Sequence, residues 1–130
     1  MLANSRITTV LPVVNVERAR RFYEEKLGLQ DAEERPMGAV AYHLRGDSVI
    51  ELSPRPEPTK NTYTALSFEV DDVEREVRDL EGRGVRFEDS AEPDFKTENH
   101  IARVGPEKAA WFKDTEGNIL CVHQGSGAVH

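Results

Sequence analysis

Four residues have side chains of types that bind or react with small molecules: Glu51, Trp111, Cys121 and His123. Glu51 lies in the apolar run Val49–Leu52, and alternation along a strand would give its carboxylate a defined face. Cys121 and His123 are two residues apart, which places both on one face of a strand. A carboxylate, a thiol and an imidazole are donors that bind transition metals. The aromatic ring of Trp111 suits planar or cationic compounds.

The elements that position these residues begin with a β-branched strand over Ile7–Val14. Asn15 is a helix-capping residue, and the apolar spacing after it predicts a helix from Val16 to Leu27. Gly28 is well placed to end that helix. The chain therefore opens with a strand followed by a helix.

Two further strands, Val40–Arg45 and Ser48–Ser53, flank Gly46-Asp47, a pair typical of a two-residue hairpin turn. In this register Tyr42 lies opposite Glu51, so both point to one face. Further residues assigned to the same face are Val40, Leu44, Val49 and Ser53. His43 alternates to the other face, toward the helix, and is interpreted as structural.

A proline-rich linker over residues 55–63 separates this first module, about residues 7–54, from a second module of about residues 64–124. The second module repeats the order of elements. A strand over Thr64–Val70 carries Ser67, and Asp71 or Asp72 caps the next helix.

The rest of the second module is predicted as a strand over Val85–Glu88, a long polar loop over residues 89–106 and a final hairpin. The hairpin strands are Lys108–Lys113 and Asn118–His123. One of the adjacent aromatic residues of the first hairpin strand, Trp111 and Phe112, should face the ligand and the other the core. Residues of the loop that could close over a ligand are Phe95, Lys96, Asn99 and His100, although a plain exposed loop fits equally well.

The two modules share short sequence matches in the same order along the chain. Asn15-Val16-Glu17-Arg18 matches Asp72-Val73-Glu74-Arg75 at a strand-to-helix junction. Asp47-Ser48-Val49-Ile50-Glu51-Leu52 matches Gly117-Asn118-Ile119-Leu120-Cys121-Val122. The chain is therefore predicted to be an α+β fold of two tandem βαβββ modules. Paired edge to edge, such modules would form a curved mixed sheet with a concave cleft for a ligand.

Composition limits the classes of partner. The 130 residues suit a single domain, and the formal net charge of −7 opposes binding to nucleic acid or to anionic membranes. The single cysteine excludes an intrachain disulfide and favours a reducing compartment. We expect a cytoplasmic protein, since no secretion signal is recognisable, with a flexible tail from Gly125 to His130.

The first module, through Val14–Leu29, resembles the glyoxalase / bleomycin-resistance / extradiol-dioxygenase superfamily, also called vicinal oxygen chelate proteins. Further stretches that resemble it are Val49–Leu52, Phe68–Val73 and Trp111–Leu120. The resemblance extends over about residues 7–124. It implies the fold described above and leaves the activity open, because many chemistries share this fold.

Metal-dependent members of the superfamily place one ligand in each of four strands. The resemblance assigns these positions to Thr8, Glu51, Ala65 and Cys121. Only Glu51 is an ordinary ligand for a hard metal, and the set lacks histidine. No cofactor is therefore predicted, and any metal would need Glu51 with Cys121 or His123. The frame of the resemblance directs Glu51 inward, which favours a role in ligand binding. As the alternative to metal binding, Cys121 is interpreted as a small buried residue and His123 as a strand-end histidine near the surface.

The resemblance thus implies a metal-independent protein that binds a small aromatic or cationic molecule, for drug or metabolite sequestration, and that forms a homodimer as members of the superfamily usually do. The predicted ligand-binding residues are Tyr42, Leu44, Glu51, Ser53, Ser67, Trp111, Cys121 and His123. Two alternatives remain open. One is a metal-dependent lyase, isomerase or dioxygenase with a divergent metal site, and the other is an interaction protein whose cleft is unused.

Overall fold

The computed structural model describes residues 1–93 and 96–125. The chain divides into two compact units. The first unit comprises Met1–Lys60 together with Thr115–Gly117, and the second comprises Asn61–Asp114 together with the chain from Asn118 onwards. The division after Lys60 lies within the segment predicted as a linker.

The first unit is a four-stranded mixed sheet with a helix on one face. In chain order its elements are β1 (Thr8–Val13), α1 (Val16–Arg21), β2 (Glu33–Glu34), β3 (Val40–His43) and β4 (Val49–Pro54). The strands are ordered β1-β4-β3-β2, with β1 parallel to β4 and the other pairs antiparallel. This is the β-α-β-β-β order that the sequence predicts.

Helix α1 begins at the predicted cap, where the Asn15 side chain accepts a hydrogen bond from the backbone N–H of Arg18. It continues as a wider π-helical turn over Phe22–Lys26, so the helix extends to the predicted end. Ala19 and Tyr23 are fully buried and fix the side of the helix that packs on the sheet.

The second unit is a five-stranded mixed sheet with one helix. Its elements are β5 (Leu66–Glu69), α2 (Val73–Gly82), β6 (Thr97–Glu98), β7 (Ile101–Val104), β8 (Glu107–Lys113) and β9 (Ile119–Gln124). The strands are ordered β5-β9-β8-β7-β6, with β5 parallel to β9. Asp72 caps α2 by accepting from the backbone N–H of Arg75, as Asn15 caps α1. The predicted α+β class is confirmed in both units.

The predicted strand over Val85–Glu88 and the predicted loop over residues 89–106 are both wrong. The first segment makes only a single bridge, between Phe87 and Phe112. The second contains the β6–β7 hairpin, because Ile101 and Ala102 are buried and Asn99 with His100 adopts the left-handed backbone of a tight turn. The predicted loop residue Phe95 lies outside the described residues, as does the predicted flexible tail beyond Gly125.

The predicted two-residue turn between β3 and β4 is also wrong. A three-residue loop, Arg45 to Asp47, is closed by the hydrogen bond from Leu44 N–H to Ser48 C=O, with Gly46 at a φ of 70°. One extra loop residue shifts the pairing by one position, so Tyr42 lies opposite Ile50 and Glu51 lies opposite Ala41.

Each sheet has a helix face, which packs on its helix, and a far face on the opposite side. Tyr42 identifies the helix face of the first sheet, because its hydroxyl reaches Glu24 beyond the end of α1. Lys108 and Gln124 identify the helix face of the second sheet, since both bond to the first turn of α2. Alternation along each strand then assigns the remaining side chains.

Candidate functional site

The far face of the second sheet brings together four of the residues predicted to bind a ligand. Ser67 and Trp111 both lie opposite Cys121, so these three side chains form a row across β5, β9 and β8. His123 follows two residues after Cys121 on β9 and therefore has the same face. The sequence placed Cys121 and His123 on one face, and the strand register agrees.

Ser67 and His123 form a polar pair on this face. Ser67 Oγ and His123 Nδ1 are joined by a hydrogen bond of 2.5 Å between neighbouring parallel strands. Both residues are half-buried, so the imidazole is held in place and still has exposed surface. A fixed, partly exposed imidazole can donate or accept a hydrogen bond to a ligand.

Trp111 is fixed at the opposite end of the row. Its indole Nε1–H donates to Thr64 Oγ1 at 3.1 Å, and its ring packs on a buried cluster of small side chains. The members of that cluster are Ala102, Ala109 and Cys121. Its neighbour Phe112 is fully buried on the helix face with its ring 5.3 Å from that of Phe87. Phe112 is therefore the aromatic residue that faces the core, and the role of Trp111 in ligand binding stays a prediction.

Cys121 lies below the surface of this face. The residue is fully buried, and burial raises the pKa of its thiol to about 11 in spite of a hydrogen bond from Ser67. A thiol that ionises only at high pH is a poor nucleophile and a poor metal ligand at neutral pH. These properties support its interpretation as a small core residue.

The far face of the first sheet carries a network of charged side chains around Glu51. Arg35 donates from Nη1 to Glu51 Oε1 and from Nε to Glu33 Oε1, both at 3.1 Å. The second oxygen of Glu33 is hydrogen-bonded to His43 Nε2 at 3.1 Å. Contact with Glu33 excludes the predicted orientation of His43 toward the helix, which followed from the one-residue error in register.

Tyr42 lies on the opposite side from Glu51, contrary to the predicted shared face. It is fully buried, and its hydroxyl donates to Glu24 Oε2 at 2.6 Å. Burial and this hydrogen bond raise the pKa of the Tyr42 phenol well above its usual value. Leu44 lies just beyond the end of β3 and is half-buried. Ser53 follows Glu51 by two residues on β4, so it lies on the same far face, and it is also half-buried.

Glu116 is a buried carboxylate that the sequence analysis missed. It is only 4% exposed and accepts hydrogen bonds from the backbone N–H groups of Val14 and Asn15. The guanidinium of Arg18 donates to both carboxylate oxygens, from Nε at 2.8 Å and from Nη2 at 3.0 Å. Burial acts to raise the pKa of Glu116, but these bonds and one from Thr115 outweigh it and lower the pKa to about 2.

The sequence analysis also missed Arg35, Glu33 and Thr64. For Glu33 and Arg35 a weak signal is present in the sequence. Glu33 and Arg35 alternate with Glu34, a spacing that would place both on one face of a strand. Their strand is too short for periodicity to identify. For Thr64 no sequence signal exists, because its partner Trp111 is distant along the chain.

The side chains at the four positions that correspond to metal ligands do not suit a divalent metal. Thr8 and Glu51 lie on the far face of the first sheet. Cys121 lies on the far face of the second sheet, and Ala65 has the same alternation as Ser67, two residues later. Ala65 has no donor atom in its side chain, and Glu51 is ion-paired with Arg35. Among residues 1–93 and 96–125, no three His, Cys, Asp or Glu side chains are arranged to hold a metal ion.

The chain belongs to the Glyoxalase/Bleomycin resistance protein/Dioxygenase superfamily, whose family model matches residues 6–122. This match agrees with the α+β units and with the resemblance noted in the sequence. The family includes several chemistries, so membership by itself leaves the activity open.

Similar proteins include both uncharacterised and named members. The chain is 28% identical to "Uncharacterized protein YurT" of Bacillus subtilis (strain 168), over 91% of this chain and 97% of that protein. The fold is similar to that of TnmS3, an antibiotic binding protein from Streptomyces sp. CB03234, with a TM-score of 0.67, 23% identity and coverage of 97% and 99%. It is also similar to that of a lactoylglutathione lyase from Agrobacterium tumefaciens, with a TM-score of 0.69, 17% identity and 98% coverage of both chains.

Helices in the described part of the chain are too short or too polar to cross a bilayer.

Proposed function

We propose that this protein binds a small aromatic molecule without a metal ion, on the far face of its second sheet. The observation that carries this proposal is the row of Ser67, Cys121 and Trp111 with His123 beside it. Trp111 offers a fixed aromatic surface, and the Ser67–His123 pair offers a hydrogen-bonding edge. An apolar surface with a few fixed polar groups is the usual composition of a small-molecule site.

Small side chains beneath Trp111 support this proposal. Ala102, Ala109 and Cys121 pack below the indole and present no larger group that would compete with a ligand for the ring. Cys121 is fully buried, so Ser67, Trp111 and His123 are the residues proposed to contact the ligand. The likeness to an antibiotic binding protein is a likeness of fold and is consistent with a sequestering role.

The test uses Trp111 as its own reporter, because it is the single tryptophan of the chain. Cationic antibiotics and aromatic metabolites are screened by thermal shift, since a ligand of the folded state raises the melting temperature by mass action. Compounds that bind are then titrated while Trp111 fluorescence is recorded. We expect quenching or a spectral shift with the same dissociation constant as the thermal effect.

Two variants decide whether the far face of the second sheet is the site. His123→Ala should weaken binding while the protein stays folded. Trp111→Phe should retain an aromatic surface with reduced affinity, which is measured by thermal shift because this variant contains no tryptophan. Tyr63→Phe is the matched control, because Tyr63 is 78% exposed and lies in the same unit. Equal affinity in all three variants, or no ligand in a broad panel, would contradict the proposal.

We further propose that Glu51 and Ser53 of the first unit contribute to ligand binding, as the sequence predicts. Glu51→Gln removes its charge and retains its size, so a change in affinity would report a direct electrostatic role. Thermal shift with the same compounds serves for this measurement. Metal analysis of protein purified without chelator tests metal independence, and a stoichiometric metal ion that Glu51→Gln loses would favour the enzyme alternative.

We also propose that the protein is a homodimer in a reducing compartment such as the cytoplasm. Several large apolar side chains of the first fourteen residues are exposed, among them Leu2 at 84% and Ile7 at 76%. These exposed side chains are the candidates for a contact surface between two copies of the chain. The chain has a single cysteine, Cys121, so no intrachain disulfide can form, and this composition favours a reducing compartment.

A further inference from the structure

Trp111 is held by a hydrogen bond whose acceptor lies far from it in the sequence. Its indole Nε1–H donates to Thr64 Oγ1 at 3.1 Å, and the two residues are 47 positions apart. An indole nitrogen is a donor only and carries a single proton, so this bond uses the hydrogen-bonding capacity of the ring. The half-buried Trp111 therefore offers a ligand its aromatic surface rather than its N–H.

The chain on both sides of Thr64 is fixed by hydrogen bonds. Before it, the Asn61 side chain accepts from the backbone N–H of Tyr63 at 3.1 Å and donates to the backbone carbonyl of Tyr63 at 2.9 Å. After it, the backbone N–H of Ala65 donates to the carbonyl of Ile119 at 2.8 Å. These contacts fix the backbone that carries Thr64, so its hydroxyl is a preorganised acceptor for the indole.

Packing alone does not select this orientation of the indole. The ring rests on the small side chains of Ala102, Ala109 and Cys121, and apolar contact of this kind has no preferred direction. A hydrogen bond weakens steeply when its donor points away from its acceptor. The bond to Thr64 is therefore the interaction that directs the N–H edge of Trp111.

We propose that Thr64 is a positioning residue that determines the ligand specificity of the far face of the second sheet. It holds the indole of Trp111 in one orientation and occupies its N–H, so aromatic ligands bind by stacking and gain no hydrogen bond from Trp111. The inference rests on the proposed function, since it names the class of aromatic ligand that the same face accepts. Without the Thr64 hydroxyl, a ligand with an acceptor atom in its ring can bond to the indole N–H instead.

The first measurement needs no ligand. Two-dimensional NMR of the N–H groups should show one indole signal, because the chain has one tryptophan. Thr64→Val replaces the hydroxyl by a methyl group of similar size, and it should shift that signal and speed its hydrogen exchange. Thr64→Ser retains the hydroxyl and should restore the wild-type signal. Thr62→Val is the matched control, since it makes the same change two residues earlier at an exposed side chain and should leave the signal unchanged.

The second measurement compares naphthalene with quinoline, which has the same shape and a ring nitrogen acceptor in place of one C–H. Each is titrated at neutral pH, where both are uncharged, and the shift of the indole signal gives the dissociation constant. In Thr64→Val the affinity for quinoline relative to naphthalene should rise roughly two- to tenfold over the wild-type ratio, because one hydrogen bond becomes available to the ligand. Thr64→Ser and Thr62→Val should keep the wild-type ratio.

The results that would overturn the inference differ from those that would overturn the proposed function. An indole signal that is the same in the wild type and Thr64→Val would show that Thr64 does not position the ring. An unchanged quinoline-to-naphthalene ratio, or failure of both probes to bind the wild type and Thr64→Val, would show that Thr64 does not determine specificity. The proposed function itself fails only if the broad panel of compounds gives no ligand or if the variants of Trp111 and His123 bind as the wild type does.

Discussion

Glu116 shows how one residue in a turn can accept hydrogen bonds from the backbone N–H groups at the start of a helix. The first backbone N–H groups of a helix have no partner within it, and here two N–H groups at that junction, of Val14 and Asn15, donate to the buried carboxylate. The negative charge also lies at the positive end of the helix dipole and is paired with Arg18. These interactions stabilise the ionised form of Glu116 in the folded state only.

We therefore predict that Glu116 makes folding stability depend on pH in the acid range. The folded pKa is about 2 and the ordinary value is 4.5, so the stabilisation is complete above pH 4.5 and is lost as the pH falls toward 2. Glu116→Gln should lower the free energy of unfolding at pH 7 by about 2 kcal/mol. Urea denaturation between pH 7 and pH 2.5 should show this difference shrinking with falling pH.

Glu17→Gln is the control for this series, because Glu17 lies in the first turn of the same helix and is exposed. A pH-independent difference between the wild type and Glu116→Gln would contradict an ionised, hydrogen-bonded Glu116.

Cys121 leads to a second prediction at the scale of a single residue. Its thiol pKa is raised from 9.0 to about 11, so at pH 8 the thiolate fraction in the folded protein is about 100-fold below that of an ordinary cysteine. Full burial lowers the rate of modification further. Reaction with a chromogenic disulfide at pH 8 should be at least that much slower in the native protein than in urea. Rapid native modification would show that Cys121 is accessible to reagents and to ligands.

At the scale of elements, loop length decides which side chains of the β3–β4 hairpin share a face. Gly46-Asp47 is a strong signal for a two-residue turn, yet the loop contains three residues. Side chains in a strand alternate with a period of two, so this single extra residue moves Tyr42 to the helix face and His43 to the far face. The β6–β7 hairpin shows a different error, because a polar segment that the sequence predicts to be a loop forms two short strands.

The placement of Tyr42 predicts the behaviour of Tyr42→Phe. Loss of the hydroxyl removes the hydrogen bond to Glu24 in a buried setting and should lower the free energy of unfolding by about 1 kcal/mol. Affinity for any ligand found in the screen should stay unchanged, because Tyr42 faces the helix. Chemical denaturation and fluorescence titration measure the two effects, with Tyr63→Phe as the exposed control. Weaker ligand binding with unchanged stability would instead support the sequence-based prediction that Tyr42 contacts the ligand.

At the scale of the whole molecule, the exposed apolar residues near the N-terminus predict an oligomeric contact. Ile7→Asp places a charge in that surface and should convert a dimer into a monomer, which light scattering coupled to gel filtration detects directly. Met37→Asp is the matched control, since Met37 is 96% exposed in the same unit but lies between β2 and β3. A wild type that is monomeric at all concentrations would exclude the proposed dimer.

Sequence alone was sufficient for the features that depend on local rules. The capping residues Asn15 and Asp72, the β-α order of both modules and the shared face of Cys121 and His123 follow from side-chain chemistry and from alternation over a few residues. Family membership followed from the same local patterns.

Tertiary structure alone decided which groups are paired. Arg35 with Glu51, Thr64 with Trp111 and Glu116 with Arg18 are separated along the chain and meet only in the folded structure. The face of Glu51 also depends on the β3–β4 loop, which is one residue longer than its sequence suggests. No local pattern encodes such a distance, because charge and hydrogen-bond partners are selected by the packing of whole strands. For this reason the ligand-like residue Glu51 was visible in the sequence, while the cation that neutralises it was not.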